Sequence, residues 1–269
     1  MGVKGYHFYL KKFGGYSEDI DLREFVKDRP VNTIVVDFCA FYMSKLKSPR
    51  YATALLLEKI MEKSPESGSL GLPLVHQPLQ KIVEALIKEI REEIDGFAGS
   101  LPSQPRVCFV LDGEPLPAKH GTHKFRARRS YQHLKAARRL VNLYIGRQTQ
   151  APAPAPAPAT AATKFLARFG ARASGWIRWF RPLKQHIVQE LVRCGCANSF
   201  DPQGESKLSV IVAPFEADPK CVELASLCPN SMILSSDGDL QIYPFADDSL
   251  VGRAPIGSDL LLFQVTFRC

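Results

Sequence analysis

Four short apolar runs in this chain each lead into acidic residues, and no other feature of the sequence constrains the fold as much. Short apolar runs bounded by polar or turn-forming residues are typical of strands buried on both faces of a parallel sheet. The runs and their acids are 33–36 with Asp37, 107–111 with Asp112, 208–213 with Glu216 and Asp218, and 231–234 with Asp237 and Asp239.

Helical spacing follows two of these acids. After Asp37, residues 38–47 place Phe41, Tyr42 and Leu46 at helical intervals, and residues 219–227 repeat the pattern after Asp218. A chain that alternates strands with helices builds a parallel sheet covered by helices. The sequence therefore predicts an α/β fold.

The predicted sheet brings the acids together. The carboxyl ends of parallel strands meet at one edge, and open α/β sheets bind their ligands there. Two ionised carboxylates about 4 Å apart repel each other by ~4 kcal/mol at an effective dielectric of about 20, so a cluster of six needs cations. Carboxylate oxygens favour Mg²⁺ or Mn²⁺ over zinc, and two ions that share ligands form the clamp used in phosphodiester hydrolysis. The pattern predicts a two-ion site.

Simpler roles for the individual acids stay open. Asp218 precedes Pro219 and suits the N-cap of a helix, and Asp237-Gly238 is ordinary turn chemistry. A lone aspartate at a strand end is more often a cap or a turn residue than a metal ligand. Because separate caps need not meet in space, the joint pattern favours the metal site.

Length and composition narrow the class of protein. A chain of 269 residues can bury one α/β core with an appendage. It has no apolar run of the about 20 residues that a membrane span requires, and its start lacks the pattern of a signal peptide. We therefore expect an intracellular protein without a membrane partner. The seven cysteines lack C-x-x-C spacing and are expected to be reduced thiols within apolar runs.

The positive charge is concentrated in one segment. Between Pro115 and Gln189 the chain has 15 Lys or Arg and no acid. The rest of the chain has 20 basic and 27 acidic residues, although the net charge of the whole chain is +8. An acidic body with a basic segment suits the binding of a polyanion. The basic segment would hold the polyanion while metal bound by the acidic body contacts one of its phosphates.

The basic segment has three parts. Residues 119–143 carry the charge at helical spacing, and a solvated surface helix is the alternative interpretation. Residues 151–158 alternate Ala and Pro, which predicts an extended spacer of roughly 25 Å. In residues 163–180, aromatic side chains are interspersed with lysine and arginine residues. We expect the aromatic rings to stack on nucleic-acid bases, although an anionic membrane surface also suits this composition.

Five stretches, in this order, resemble the structure-specific 5′ nuclease superfamily, the flap endonuclease and XPG group. The start MGVKGYHFYL resembles the family's MG-x-x-G opening, and VVDFCAFYMSKL resembles its first acidic strand. FVLDGEPLPAKHGTHKFRARR is similar to its FDG-x-P-x-x-K element. VAPFEADPKCVEL and LSSDGDLQIY are similar to its AP-x-EA-[ED] and [ST]-x-D-x-D elements, and the ending is also similar to the Asteroid branch.

The resemblance implies a PIN-like, three-layer α/β domain with a mostly parallel central sheet flanked by helices. It divides the chain into an N-like half at 1–130, a basic helical and Ala-Pro-rich insertion at 131–182, and an I-like half at 183–269. It also implies Mg²⁺-dependent hydrolysis of DNA near a 5′ end or junction, in DNA repair or replication, and hence a nuclear location.

The resemblance also implies roles for individual residues. Lys119 and Arg126 would contact the scissile phosphate, and Gly2 would lie near the substrate. Basic residues around them, Lys124, Arg128 and Arg129, are expected to bind nucleic acid. The two Mg²⁺ ions, for which Mn²⁺ is an alternative, would be held by Asp37, Asp112, Glu216, Asp218, Asp237 and Asp239.

The chain departs from the family pattern in two places. The Ala-Pro run at 151–158 lies where the family has its helical arch. The helix-hairpin-helix that binds duplex DNA and supplies the family's last carboxylate is not recognisable in this chain. Asp259 matches only the residues immediately around that carboxylate.

The sequence thus predicts a nuclease in which one ion activates a water and the other stabilises the departing oxygen, while Lys119 and Arg126 offset charge on the phosphate. The alternative is a nucleic-acid-binding or regulatory scaffold of the same fold without turnover. A third hypothesis, a sugar-nucleotide enzyme with Asp237 and Asp239 as a DxD motif, gives the basic segment no role. RNA stays open beside DNA, and no small-molecule cofactor is expected.

Overall fold

The computed structural model of the protein describes residues 19–21, 30–62, 74–149, 159–177, 183–202, 204, 206–235, 250–253 and 262–264. The chain forms two compact units. We call the first, from residues 1–44, 87–116 and 187–269, the sheet unit, and the second, from 45–86 and 117–186, the helical unit. The three segments that the resemblance implies, 1–130, 131–182 and 183–269, stay a prediction.

Strands and helices alternate along the chain. In order they are β1 (Asp19–Asp21), β2 (Thr33–Asp37), α1 (Phe38–Leu46), α2 (Pro49–Met61), α3 (Leu79–Gly99), β3 (Arg106–Leu111), α4 (His120–Thr149), α5 (Ala159–Ile177), α6 (Lys184–Arg193), β4 (Leu208–Val212), α7 (Ala217–Leu227), β5 (Ser231–Ser235), β6 (Leu250–Arg253) and β7 (Leu262–Gln264). All four strands predicted from runs that lead into acids are present. A 3-10 turn, Pro117–Lys119, precedes α4.

The sheet unit contains a parallel sheet with the strand order β4-β3-β2-β5-β6. Its first four strands in this order are the four predicted ones, and β6 pairs parallel with β5 at the far edge. The predicted α/β class with a parallel sheet is therefore confirmed. Strand β7 pairs antiparallel with β1 in a separate two-stranded sheet.

Both faces of the central strands are buried. On one face Val35, Cys108 and Ile233 form a core with Cys221 and Leu224 of α7, which packs across β2, β3 and β5. On the other face the ring of Phe38 meets the edge of the Phe109 ring at 5.4 Å between centroids. Every residue of β2 and β5 is buried, as expected for a sheet that lies between layers of helix.

The helical unit is built on α2, α4 and α5, which pack against one another. The core includes Phe165, Phe169 and Trp176 of α5, all buried, and the Phe165 ring lies 4.6 Å from that of Tyr144. The prediction that these three rings stack on nucleic-acid bases is wrong. Their spacing puts them on one helix face, and that face is the inner one.

The remaining two aromatic residues of that predicted stacking segment, Trp179 and Phe180, lie outside the described residues, as does the Ala-Pro run. Among the described helices, none combines the length and the apolar character needed to cross a membrane.

Candidate functional site

The sheet reverses its winding direction beside β2. From β2 the chain moves outward to β3 and β4, and it then returns to the opposite side of β2 to add β5 and β6. Crevices at the carboxyl ends of strands flanking such a reversal are where open α/β sheets bind ligands. Asp37 ends β2 and Ser235 ends β5, so these two residues stand at the point of reversal.

Asp37 is almost fully buried at this point, with 4% of its surface exposed. The Ser235 hydroxyl donates to Asp37 Oδ2 at 2.6 Å. A buried carboxylate is costly unless hydrogen bonds or charges offset the loss of water. The serine bond meets part of that cost and fixes the orientation of the carboxylate.

Asp112 follows β3 directly and is anchored to the segment after β4. Its Oδ1 accepts from the Ala217 N–H at 2.9 Å, so Asp112 satisfies a donor of the first turn of α7. The alternative that Asp218 is the N-cap of this helix is wrong. Glu216 holds the N-cap position with extended backbone and without a side-chain cap bond, while Asp218 lies in the first turn, where the helix dipole favours negative charge.

The turn after Asp112 packs directly on the loop after β4. The Gly113 N–H donates to the Phe215 carbonyl oxygen, and the Glu114 N–H donates to that of Pro214 at 3.0 Å. A Cβ on Gly113 would overlap the carbonyl oxygen of Ala213. Glycine is therefore required here for close approach of two backbone segments, and this approach holds Asp112 near Glu216.

Two thiols respond to the carboxylates around them. Burial, and then the charges of Asp112 and Asp37, raise the pKa of Cys39 well above its usual value. Burial, and then the charges of Asp37 and Asp218, do the same to the pKa of Cys221. The Cys39 sulfur also accepts from the Asp112 N–H at 3.3 Å. Three acids that are far apart in sequence therefore act on two neighbouring thiols.

The structure thus brings Asp37, Asp112 and Asp218 into one region, and Glu216 adjoins it through Ala217. The other two predicted ligands, Asp237 and Asp239, lie outside the described residues, as do Asp259 and Gly2. Within the residues that the structure describes, no group of three or more carboxylate, histidine or thiol side chains is arranged to hold an ion. The two-ion site therefore stays a prediction.

Sequence reasoning missed Ser235, Cys39 and Cys221 as neighbours of the acids. The sequence marks Ser235 only as the end of an apolar run, and the strand register puts it beside Asp37. Cys39 follows Asp37 by two residues in the first turn of α1, and Cys221 belongs to the inner face of α7. Only the packing of α7 on β2 shows that the two thiols share a region.

The predicted basic residues belong to the start of the helical unit's longest helix, α4, and to the turn before it. Lys124, Arg128 and Arg129 are exposed, whereas Lys119 and Arg126 are half-buried. The Arg129 guanidinium lies 5.3 Å from the centre of the Phe125 ring, itself 50% exposed. The outer face of α4 is therefore basic with an accessible aromatic side chain.

Comparisons with known proteins found no protein-family model and no curated protein that match this chain. The resemblance to the 5′ nucleases therefore depends on the five short stretches of sequence and stays an expectation.

Proposed function

We propose that this protein is a metal-dependent, structure-specific 5′ nuclease with a PIN-like fold, which hydrolyses DNA phosphodiesters in DNA repair or replication. The supporting observation is that acids from three segments meet beside the point where the sheet reverses direction. Asp112 accepts a hydrogen bond from the first turn of α7, which carries Asp218, and burial together with the charge of Asp37 raises the pKa of both Cys39 and Cys221. This is the edge at which a parallel α/β sheet binds its ligands.

The donor set fits hard divalent cations. The candidate ligands offer carboxylate oxygens, which Mg²⁺ and Mn²⁺ prefer. They are Asp37, Asp112, Glu216, Asp218, Asp237 and Asp239. When bound, such ions supply an activated water at neutral pH and offset negative charge on a phosphate.

Contacts within the chain orient two of these carboxylates, those of Asp37 and Asp112, before any ligand binds. Ser235 fixes Oδ2 of Asp37, and the start of α7 fixes Oδ1 of Asp112. The glycine contact after Asp112 holds the loop that carries Glu216. Ligands held by hydrogen bonds and packing need little reorganisation, which is what a preorganised catalytic site requires.

The outer face of α4 supports a polyanionic substrate. Lys124, Arg128 and Arg129 are exposed there, and the helix contains no acid at all. Ordinary surface helices mix charges of both signs. A face with bases alone attracts phosphates, with an affinity that falls as salt is added. Lys119 and Arg126 are proposed to contact the scissile phosphate, as the family resemblance implies.

The proposal is tested with a panel of labelled 5′-flap, nicked, junction and single-stranded DNA, with matched RNA, in Mg²⁺ and in Mn²⁺. The parent should cleave at least one of these substrates. Asp37→Asn should lower the rate of cleavage by about a hundredfold or more and should retain affinity for the same DNA. The reason is that the carboxylate contributes to catalysis, whereas the basic residues bind the DNA.

Glu223→Gln is the matched control, since Glu223 is an exposed acid of α7 that pairs with Lys220 at 2.6 Å. It should cleave like the parent. Equal rates for Asp37→Asn and the parent would remove the assignment of the site. A parent that binds DNA but cleaves none of the panel with either ion would support the alternative of a silent nucleic-acid-binding scaffold.

A further inference from the structure

The loop after β4 presents an aromatic side chain at the carboxyl edge of the sheet. Phe215 stands at the variable position of the AP-x-EA element, between Pro214 and Glu216, and is 50% exposed. Val212, which ends β4, is 42% exposed. The proposed function gives neither residue a role.

The backbone beneath Phe215 is fixed. Its carbonyl oxygen accepts from the Gly113 N–H, and the Pro214 carbonyl accepts from the Glu114 N–H at 3.0 Å. The Ala213 N–H donates to the Leu111 carbonyl at 2.8 Å, which ties the start of the loop to β3. An aromatic side chain has two rotatable bonds, so on a held backbone it loses little entropy when a ligand packs on it.

The backbone of Phe215 also adjoins two of the candidate ligands, Asp112 and Glu216. Its carbonyl is bonded to the residue that follows Asp112, and Glu216 comes next in the chain. Asp112 in turn bonds to Ala217. A nucleic acid whose phosphate is bound through cations at these carboxylates brings its bases close to this loop. The part of a nucleotide that suits an exposed ring is the apolar face of a base.

We infer that Phe215 is a base-stacking residue, which holds one nucleobase beside the phosphodiester that is cleaved. The inference rests on the proposed nuclease function and adds a contact to the substrate that none of the predicted site residues supplies. Stacking tolerates any base because every base has a π-face, so Phe215 positions a nucleotide without selecting a sequence.

The test combines a protein variant with removal of single bases from the substrate. Abasic sites replace the nucleotides around the cleavage position one at a time. For the parent, one position should raise KM by roughly 5- to 150-fold, the usual strength of a base stacked on an aromatic ring. Phe215→Ala should show a similar rise in KM on intact DNA, with kcat nearly unchanged, and no further rise when that base is missing.

Two further variants control the experiment. Phe215→Trp should keep the KM of the parent, because tryptophan also stacks. Leu227→Ala removes another exposed apolar side chain of the sheet unit, 57% exposed at the end of α7, and should leave KM unchanged. All three variants should unfold at the urea concentration of the parent, since each changed side chain is at the surface.

Binding measured by fluorescence anisotropy with Ca²⁺ in place of Mg²⁺, an ion that carboxylate oxygens also bind, separates this inference from the proposed function. There Phe215→Ala should weaken binding of intact DNA but not of DNA that lacks the contacted base, whether or not the parent cleaves. Equal binding and equal KM for Phe215→Ala and the parent would overturn the inference. So would independent, multiplicative losses from the variant and from every abasic site, because the ring would then contact something other than a base.

Discussion

The carboxyl edge of the sheet and helix α5 both carry residues that look functional in sequence, but only the first brings such residues together. At the sheet edge, Asp37, Asp112 and Asp218 come from distant segments, and burial together with the charge of Asp37 raises the pKa of a thiol beside each of the other two. In α5 the aromatic residues alternate with lysine and arginine residues along the chain, yet the aromatic rings are buried and the basic side chains are exposed. Strand topology joins distant residues, whereas the helical twist separates close ones.

The largest effect is expected inside the helical unit. Phe169 is fully buried, and Phe169→Ala should lower the free energy of unfolding by about 3–5 kcal/mol through the cavity it leaves. Phe125→Ala, at an exposed position of α4, should change it by no more than about 0.5 kcal/mol. Urea unfolding followed by circular dichroism measures both values.

This pair distinguishes a core aromatic from a surface one within a single unit. A small loss of stability from Phe169→Ala, accompanied by weaker DNA binding, would restore the interpretation that α5 stacks on bases. Phe125→Ala provides the opposite reference, because its ring is accessible and lies over Arg129.

A second prediction concerns the sheet edge. Gly113→Ala should destabilise the protein by about 1–3 kcal/mol or more, because the added Cβ overlaps backbone that cannot move away as a flexible side chain would. The matched control is Gly96→Ala in α3, where a Cβ meets nothing within 4 Å. That change should stabilise the helix by about 0.5–1 kcal/mol.

Gly113→Ala should also lower cleavage more than its loss of stability explains, since Asp112 and the loop carrying Glu216 are held by this contact. Cleavage is measured well below the unfolding temperature to separate the two effects. A variant as stable and as active as the parent would show that the close approach of the two loops is not needed.

A third prediction uses pH. Burial raises the pKa of Cys108 from 9.0 to about 12. The unfolded thiol ionises above about pH 9 while the folded one stays protonated, so this contribution to stability is complete below pH 9. It is lost at about 1.4 kcal/mol per pH unit as the pH rises toward 12. Cys108→Ala should flatten the fall in unfolding free energy between pH 9 and 10.5 by that slope, and equal slopes would contradict the prediction.

How far the sequence predicts the fold depends on how sharply a pattern repeats. Four of the five strands of the parallel sheet were predictable because each apolar run leads into acids, whereas β6 was not predicted. Helix α2 was not predicted, although Pro49 stands at a permitted first-turn position. Its buried residues Tyr51, Ala52, Leu55, Leu56, Leu57, Ile60 and Met61 surround much of the helix, so no narrow stripe marks it.

The candidate site divides in the same way. The acids were predictable because the carboxyl ends of parallel strands lie at one edge of the sheet, however the helices pack on it. Ser235 and Cys221 could not be predicted as neighbours of Asp37. The register of β5 places Ser235 there, and the packing of α7 on the sheet places Cys221 there. The error in α5 came from composition alone, because residues 165, 169 and 176 carry the spacing of a buried helix face.

The smallest predicted effect concerns the outer face of α4. If Arg128 contacts a phosphate, Arg128→Ala should reduce the slope of log affinity against log salt by about 0.7–0.9, which is one released counterion. Between 50 and 200 mM salt, on the order of a threefold difference in affinity separates the two curves. Phe125→Ala should leave this slope unchanged, because the ring carries no charge. An identical slope for Arg128→Ala and the parent would show that this face is solvated, and the basic character of α4 would then contribute to solubility rather than to the substrate grip.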